Sequence, residues 1–432
     1  MQRWGKPNRR VFLERSAAAG AAIAAIGPAR AAHAAGSDQL RVVLIGAGGR
    51  GTGATADCLN VARNAKLVAI ADAFADRAQS SLKLLRQYFG DRVAVPRDRL
   101  FVGLEAYQQA LACPSDLVIT AAPPGFRPIH YRAAVEAGKH VFLEKPLCID
   151  APGFRSVMET NKLAQQKGLK IGVGLYRRHH PAYQKGIRRI QEGQIGQIQF
   201  MRCTCNMTAW GGMQRKPGMS EMETQIRFWR CFDWLSGGRL VEAHCHELDV
   251  MDWAMGDHPV EANGMGGRQV CTSGRFAADY DHHFHEYLYA NGVRMYSQSR
   301  AQDNVWQDIT EHVHGTKGVL DFSGKILKIN EYPGREATSP YRLEHADLLD
   351  AIRNDKPYHE GWIGATSSFT AILGREASYS GQIVKWDELV ARGRRIFPEK
   401  ISLDGDPPMM PNAEGNYNHL VAMPGIYTPW EV

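Results

Sequence analysis

The sequence contains no Cys-x-x-Cys pair, no long run of one charge sign and no internal repeat. The first absence removes zinc ribbons and knuckles from consideration. Eight cysteines in 432 residues are also too sparse for a disulfide scaffold. Scattered buried thiols are the expectation, although an oxidising compartment would permit a bridge. The formal net charge is +7, but arginine pairs such as Arg9-Arg10 and Arg177-Arg178 are isolated and no long basic run appears. No aromatic-basic interleaving of the nucleic-acid kind appears, so no nucleic-acid partner is expected. The Ala-rich run from Ser16 to Ile26 is too short to cross a bilayer, so no stable membrane anchor is expected. What remains is an ordinary globular composition, 44% hydrophobic and 22% charged, long enough for two domains.

The N-terminus carries a targeting pattern. Arg9-Arg10 precede Phe12-Leu13, the Ala-rich run follows, and Ala29-Arg30-Ala31 and Ala32-His33-Ala34 offer small-x-small cleavage sites. Residues 1–36 thus resemble a twin-arginine (Tat) signal peptide. The alternative is an Ala-rich cytosolic helix. Export by the Tat machinery to the periplasm or beyond is the expectation, and the fold is read from residue 37 onward.

Leu40 to Ile45 is a β-branched apolar run and predicts a buried strand. Gly46-Ala-Gly48-Gly-Arg50-Gly51 follows at once, and a helical stretch from Thr52 to Arg63 comes next. Strand, G-x-G-x-x-G and helix in that order form the dinucleotide fingerprint. Gly46 makes the tight turn, Gly48 lets backbone approach a pyrophosphate, and Gly51 lets helix pack on strand. Lys66 to Ala71 predicts a second strand. Asp72 at its end stands where an acid binds the ribose 2′-OH and disfavours a 2′-phosphate. NAD is therefore expected over NADP, with nearby Arg77 leaving some room for the latter. Asp72 could instead cap the next helix. Strands and helices keep alternating to Leu175, which predicts an α/β fold with a doubly wound parallel sheet over 37–175.

Within that run, Lys139 to Leu143 predicts a strand ending in Glu144-Lys145-Pro146. Proline at 146 favours an extended Lys145. A lysine there faces the crevice where open α/β sheets bind ligands. Downstream, Glu242 and His246 are four apart on a predicted helix from about Gly237 to Gly256 and share one face. The imidazole titrates near neutrality and suits proton abstraction. A packed helix histidine is the plainer alternative.

Taken together, the glycine fingerprint, Asp72, Ala137-Gly138-Lys139-His140-Val141 and Glu144-Lys145-Pro146 resemble the Gfo/Idh/MocA oxidoreductase family. The resemblance covers nearly all of the chain after the signal. It implies a Rossmann domain followed, over 176–397, by an α/β domain with a large, mostly antiparallel sheet that often builds a homo-oligomer. It implies cofactor contacts from Gly46, Gly48, Arg50, Gly51, Asp72, Glu144 and Lys145. Its acid-x3-His-x2-Asp motif falls on Glu242, His246 and Asp249, with Glu242 departing from the usual aspartate. Lys145, His246, Glu242 and Tyr176 are then the catalytic candidates. Arg177, His180, Asp249 and His282 are substrate-contact candidates, with Asp281 beside them.

Arg227 to Trp234, dense in aromatics and arginine, is either core or a wall for sugar rings. The pairs His283/His285 and His312/His314 have strand spacing that two metal ligands could use, but no metal is expected. Asn291-Gly292 predicts a hairpin turn within an alternating stretch from Val260 to Asn330. Residues 398–432 read as an extended arm that either wraps a neighbouring subunit or is disordered.

The functional expectation is an exported NAD(P)-dependent oxidoreductase of a carbohydrate, working by hydride transfer. Because free NAD is scarce outside the cytoplasm, a tightly bound cofactor recycled in the site is expected. A redox-neutral, NAD-dependent glycoside hydrolase is the alternative. A non-catalytic sugar- or NAD(H)-binding protein is the second.

Overall fold

Two sheets share the chain in the computed structural model, which describes residues 39–209, 211–322 and 339–431. The signal-peptide reading, and the alternating stretch beyond residue 322, lie outside the described residues. The first sheet alternates strands and helices: β1 (Leu40–Ile45), α1 (Gly49–Val61), β2 (Ala65–Asp72), α2 (Ala75–Phe89), β3 (Leu100–Val102), α3 (Ala106–Ala112), β4 (Leu117–Thr120), α4 (Arg127–Glu136), β5 (His140–Leu143), α5 (Ala151–Gln166) and β6 (Ile171–Val173). Its order is β3-β2-β1-β4-β5-β6, and every pairing is parallel. Helices cover both faces, so the strands read as continuous apolar runs; Val42, Val43 and Leu44 are fully buried. The winding reverses between β1 and β4, which opens a crevice at the carboxyl ends of those strands.

The second half contributes α6 (Pro181–Gln191), β7 (Ile198–Met207), α7 (Glu221–Arg227), α8 (Asp233–Ser236), a π-helical turn (Leu240–His244), α9 (Cys245–Met255), β8 (Pro259–Gly267), β9 (His282–Tyr289), β10 (Arg294–Ala301), β11 (Asp308–Gly315), β12 (Gly318–Asp321), α10 (Pro340–Arg353), α11 (Gly361–Ser380), β13 (Val384–Lys385) and α12 (Trp386–Arg392). Seven strands form the sheet β12-β11-β7-β10-β9-β8-β13. It is antiparallel except where β7 and β10 run side by side in parallel. Residues alternate across it. Met201, Cys203, Met295, Ser297 and Tyr287 face the covering helices, while Phe200, Phe284, Met265 and Val319 point outward. The hairpin β9–β10 turns at Asn291-Gly292, with Gly292 at φ +86°.

Two features cross the boundary that the sequence suggested at residue 176. Helix α10 packs back on the first sheet, its Leu348, Leu349 and Ile352 joining Val42, Leu44 and Phe142 in one core. Asp150 caps α5 through Gly153 N (2.7 Å), and its other oxygen accepts from Ile396 N and Phe397 N at 2.7 and 3.0 Å. Residues 398–431 pack on their own chain, where Tyr417 is fully buried.

Candidate active site

Gly46 takes φ +88°, and a Cβ there would lie 2.3 Å from Ala122 N. A Cβ on Gly51 would meet Gly46 O at 2.0 Å. These two glycines are dictated by close packing, whereas Gly48 has open space where its Cβ would stand. Gly48 is also the N-cap of α1, with no side-chain cap and no acid in the first turn. The free N–H groups of that helix end therefore form an anion site that a pyrophosphate fits. Asp72, at the end of β2, accepts from Ala47 N (2.7 Å) and Phe74 N (2.9 Å). Burial pushes its carboxyl up, against the lowering effect of those two bonds. Its carboxylate thus fixes the glycine turn as well as facing the crevice. Arg50 leaves α1 toward Glu144, with Nε 3.0 Å from Oε1, and its guanidinium lies 5.0 Å over the Tyr341 ring.

Strand β5 delivers Glu144-Lys145-Pro146 to the same edge, and the Lys145–Pro146 peptide is cis. Glu144 N donates to Thr120 O at 3.0 Å, extending the β4–β5 register by one residue. Arg127, the first residue of α4, donates to Pro146 O and to Ala122 O (2.6 Å). It ties the ends of β4 and β5 together, a role that no sequence signal marked, since the residue reads only as a helix start.

Lys145 points across to the second half. Its Nζ donates to the backbone oxygen of Glu242 at 2.5 Å and lies 3.9 Å from Glu242 Oε1. Burial opposes its charge, but Glu242, Cys245 and Glu144 outweigh that and hold the ammonium above its ordinary value. Glu242 does not sit on regular α-helix. It lies in the π turn, a local widening that often marks functional sites. Arg230 approaches the same carboxylate, with Nε 3.3 Å from Oε1. His246 follows in the first turn of α9, its ring 5.0 Å from that of Tyr176 in an edge contact. Tyr176 in turn stacks on Tyr341 at 4.5 Å. Burial, then the positive charges of Lys145 and Arg177, hold His246 well below the ordinary histidine value. Its Nδ1 is buried without a hydrogen-bond partner. A neutral base and a charged lysine therefore converge at the carboxyl edge of the sheet, lined by Tyr176 and Glu242.

Four residues expected to touch substrate have their polar atoms engaged within the protein. Arg177 is buried, pairing with Glu247 at 2.5 Å and with Glu311, which fixes the loop after β6 to α9 and β11. His180 caps α6, its Nδ1 accepting from Ala182 N at 3.2 Å. Asp249 receives Arg178 at 2.8–3.0 Å and Ser367 Oγ at 2.5 Å, which uses its lone pairs in helix packing. His282 opens β9 on the outward face, bonded to Asp281 at 2.8 Å. Asp281 itself accepts three backbone N–H groups from 269–271.

The aromatic stretch 227–234 divides. Phe232 and Trp234 are core, while Trp229 is partly exposed and Arg230, exposed, reaches Glu242. The histidine pairs lie on opposite faces of the second sheet. His283 and His285 are buried toward α11, whereas His312 and His314 face outward. They cannot share an ion. Among the described residues, Cys205, His244 and Glu247 do bring ligand atoms within 4.8 Å. However, Ser297 holds His244 Nε2 at 2.8 Å and Arg177 holds Glu247.

Comparison with known proteins agrees with this geometry. The sequence profile "Oxidoreductase family, NAD-binding Rossmann fold" of Gfo/Idh/MocA proteins matches residues 40–175, and the family's C-terminal domain profile matches 183–321. The chain is 25% identical to inositol 2-dehydrogenase of Rhizobium meliloti (strain 1021) over 65% of its length and 74% of the relative. It is 26% identical to inositol 2-dehydrogenase of Klebsiella pneumoniae (strain 342), over 51% of its length and about half, 55%, of that relative. In fold it is similar to scyllo-inositol dehydrogenase of Lactobacillus casei, solved with NAD(H) and scyllo-inositol. The TM-score is 0.62 at 18% identity, covering 81% of this chain and 99% of that one. With both domain profiles matched in order, and the glycine turn and Lys145 at one sheet edge, the chain belongs to the Gfo/Idh/MocA family of NAD-binding oxidoreductases.

Proposed function

We propose that this protein oxidises a secondary hydroxyl of a cyclic polyol or sugar, with NAD as the hydride acceptor. The observation that carries the reading is the convergence of charged Lys145 and neutral His246 beside the glycine turn. The cofactor, when bound at the Gly46–Gly51 turn, supplies the site that takes hydride from the substrate carbon. The rest is work for the chain's own groups. His246 takes the hydroxyl proton, which its depressed pKa leaves it free to do at neutral pH. Lys145 donates to the same oxygen and stabilises the charge that develops there. Glu242 balances the ammonium and offers acceptors to neighbouring hydroxyls. Tyr176 closes one wall and orients the imidazole edge-on. The inositol dehydrogenase relatives support a polyol as substrate class, and NAD is favoured over NADP by the position of Asp72.

Export by the twin-arginine signal, a tightly held cofactor recycled within the site, and assembly through the outward sheet face are parts of the same proposal. The experiment is an absorbance scan and mass spectrum of the purified, undenatured protein, followed by turnover of myo-inositol and aldoses. Bound nicotinamide that is reduced on adding a polyol supports the reading. Absence of any nicotinamide binding overturns it. Release of nitrophenol from a nitrophenyl glycoside, with no net cofactor reduction, points instead to the redox-neutral hydrolase.

A further inference from the structure

We infer that helix α7 and the C-terminal arm form a strap that closes the adenosine side of the cofactor crevice and governs NAD release. This inference rests on the proposed NAD site. The cavity lined by Gly46, Asp72, Ala122 and Pro123 is roofed by Ile226 of α7 and has a volume of about 50 Å³. Small-molecule sites usually span roughly 300–1,000 Å³, so seating the adenosine end there requires the roof to lift, whereas Gly48 and Gly49 open on a separate cavity of about 780 Å³.

Three sets of contacts hold the roof down. The first is apolar. Phe74 and Ala122 from the crevice rim, Met222 and Ile226 from α7, Trp234 and the arm's Tyr417 form a core of their own, separate from those of the two sheets. The second is a latch to the Rossmann side. Arg227 grips Asp76 through two bonds of 3.0 and 3.1 Å and lies 3.9 Å over the Phe74 ring. Arg77 donates to Arg227 O at 2.8 Å. The third is the arm, which backs α7 from outside. Tyr417 Oη donates to Glu221 and receives Arg215 at 2.6 Å, while Gln225 donates to Met409 O. An exposed ion pair by itself contributes little, so the apolar core sets the closed state and the latch sets how often it opens. Gating of this kind commonly limits ligand release.

The test loads full-length protein with NADH and follows loss of bound-nicotinamide fluorescence after a chase with excess NAD. Arg227→Ala, which removes both the ion pair and the guanidinium over Phe74, is expected to release NADH about tenfold faster, and Arg227→Lys to recover part of the difference. Hydrogen exchange at 221–227 should slow on NAD binding in the wild type and remain fast in Arg227→Ala. If Arg227→Ala does not fold, Asp76→Asn breaks the ion pair alone from the other side, with a smaller acceleration of about threefold expected. Release within about twofold of wild type in the folded variants overturns the strap and leaves the NAD site standing. Failure of the wild type to bind any nicotinamide overturns both.

Discussion

The ammonium of Lys145 donates to the main-chain oxygen of Glu242, 97 residues further along the chain, at 2.5 Å. This bond joins the loop after β5 of the Rossmann sheet to the π turn that precedes the candidate base. Lys145 is thereby aimed by backbone, while the Glu242 carboxylate, 3.9 Å away, also receives Arg230 Nε at 3.3 Å.

Replacing either partner in the proton step separates chemistry from cofactor binding. Lys145→Ala and His246→Ala should each lower kcat by about 10²–10⁴-fold, the usual worth of a positioned acid or base. Nicotinamide should still be bound in the purified variants, because the glycine turn is untouched. Unchanged turnover in both would remove the site assignment.

The pH profile follows from the same histidine. Burial lowers the His246 pKa first, and Lys145 and Arg177 lower it further. The basic form therefore persists through the range where a free imidazole, with a pKa of about 6.5, gains its proton. The acid limb of kcat/KM should lie well below pH 6.5, and His246→Gln should abolish the activity whose limb is being read. An acid limb centred at an ordinary histidine value would place the base elsewhere.

Much of this was legible in the sequence because it is local. The β1–Gly46–Gly51–α1 unit, the buried parallel strands and the Asn291-Gly292 hairpin depend on neighbours in the chain. The Lys145 edge was legible for the same reason. What was not legible depends on partners far apart. Arg177 and Asp249 look like site residues by type, but Glu247, Glu311, Arg178 and Ser367 arrive from distant elements to bind them. The π turn gives no periodic signal, since one widened turn scarcely alters the apolar spacing of Val241, Leu248 and Met251. Tyr341 reaches Tyr176 only because α10 returns to the first sheet, a path that no spacing encodes.

Glycine substitutions test the cofactor turn without touching the base. Gly51→Ala places a methyl 2.0 Å from Gly46 O, and Gly46→Ala adds a clash with Ala122 N at φ +88°. Each should weaken NAD binding at least tenfold, measured by calorimetry, because the helix end must shift off the anion site. Gly48→Ala meets no protein atom, so any loss there reports on the ligand alone.

The outward position of His282 and the enclosed position of Asp249 predict opposite phenotypes. His282→Ala should leave kcat/KM within about twofold, as surface changes away from a site usually do. Asp249→Ala leaves Arg178 and Ser367 without their shared acceptor, and should lower the thermal midpoint while leaving the KM of the folded fraction near wild type. A large KM change in His282→Ala with no change in stability would restore it to the substrate site.

His179 makes stability depend on pH on the alkaline side. Its ring sits between Asp347 on α10, at 2.7 Å from Nδ1, and Glu360, at 3.0 Å from Nε2. Burial alone would lower its pKa, but the two carboxylates outweigh burial and raise it to about 9. The folded value thus exceeds the unfolded value of about 6.5. A group raised in this sense contributes stability that is fully present below about pH 6.5 and is lost as pH climbs toward 9. Glu360 also accepts from Val173 N at 2.9 Å, so the pair anchors α10 and α11 to the last Rossmann strand. Denaturant unfolding at several pH values should show wild type more stable than His179→Gln at pH 6, with the gap closing by pH 9. A gap that stays constant across that window would mean the imidazole is neutral throughout and the two carboxylates do not hold its proton.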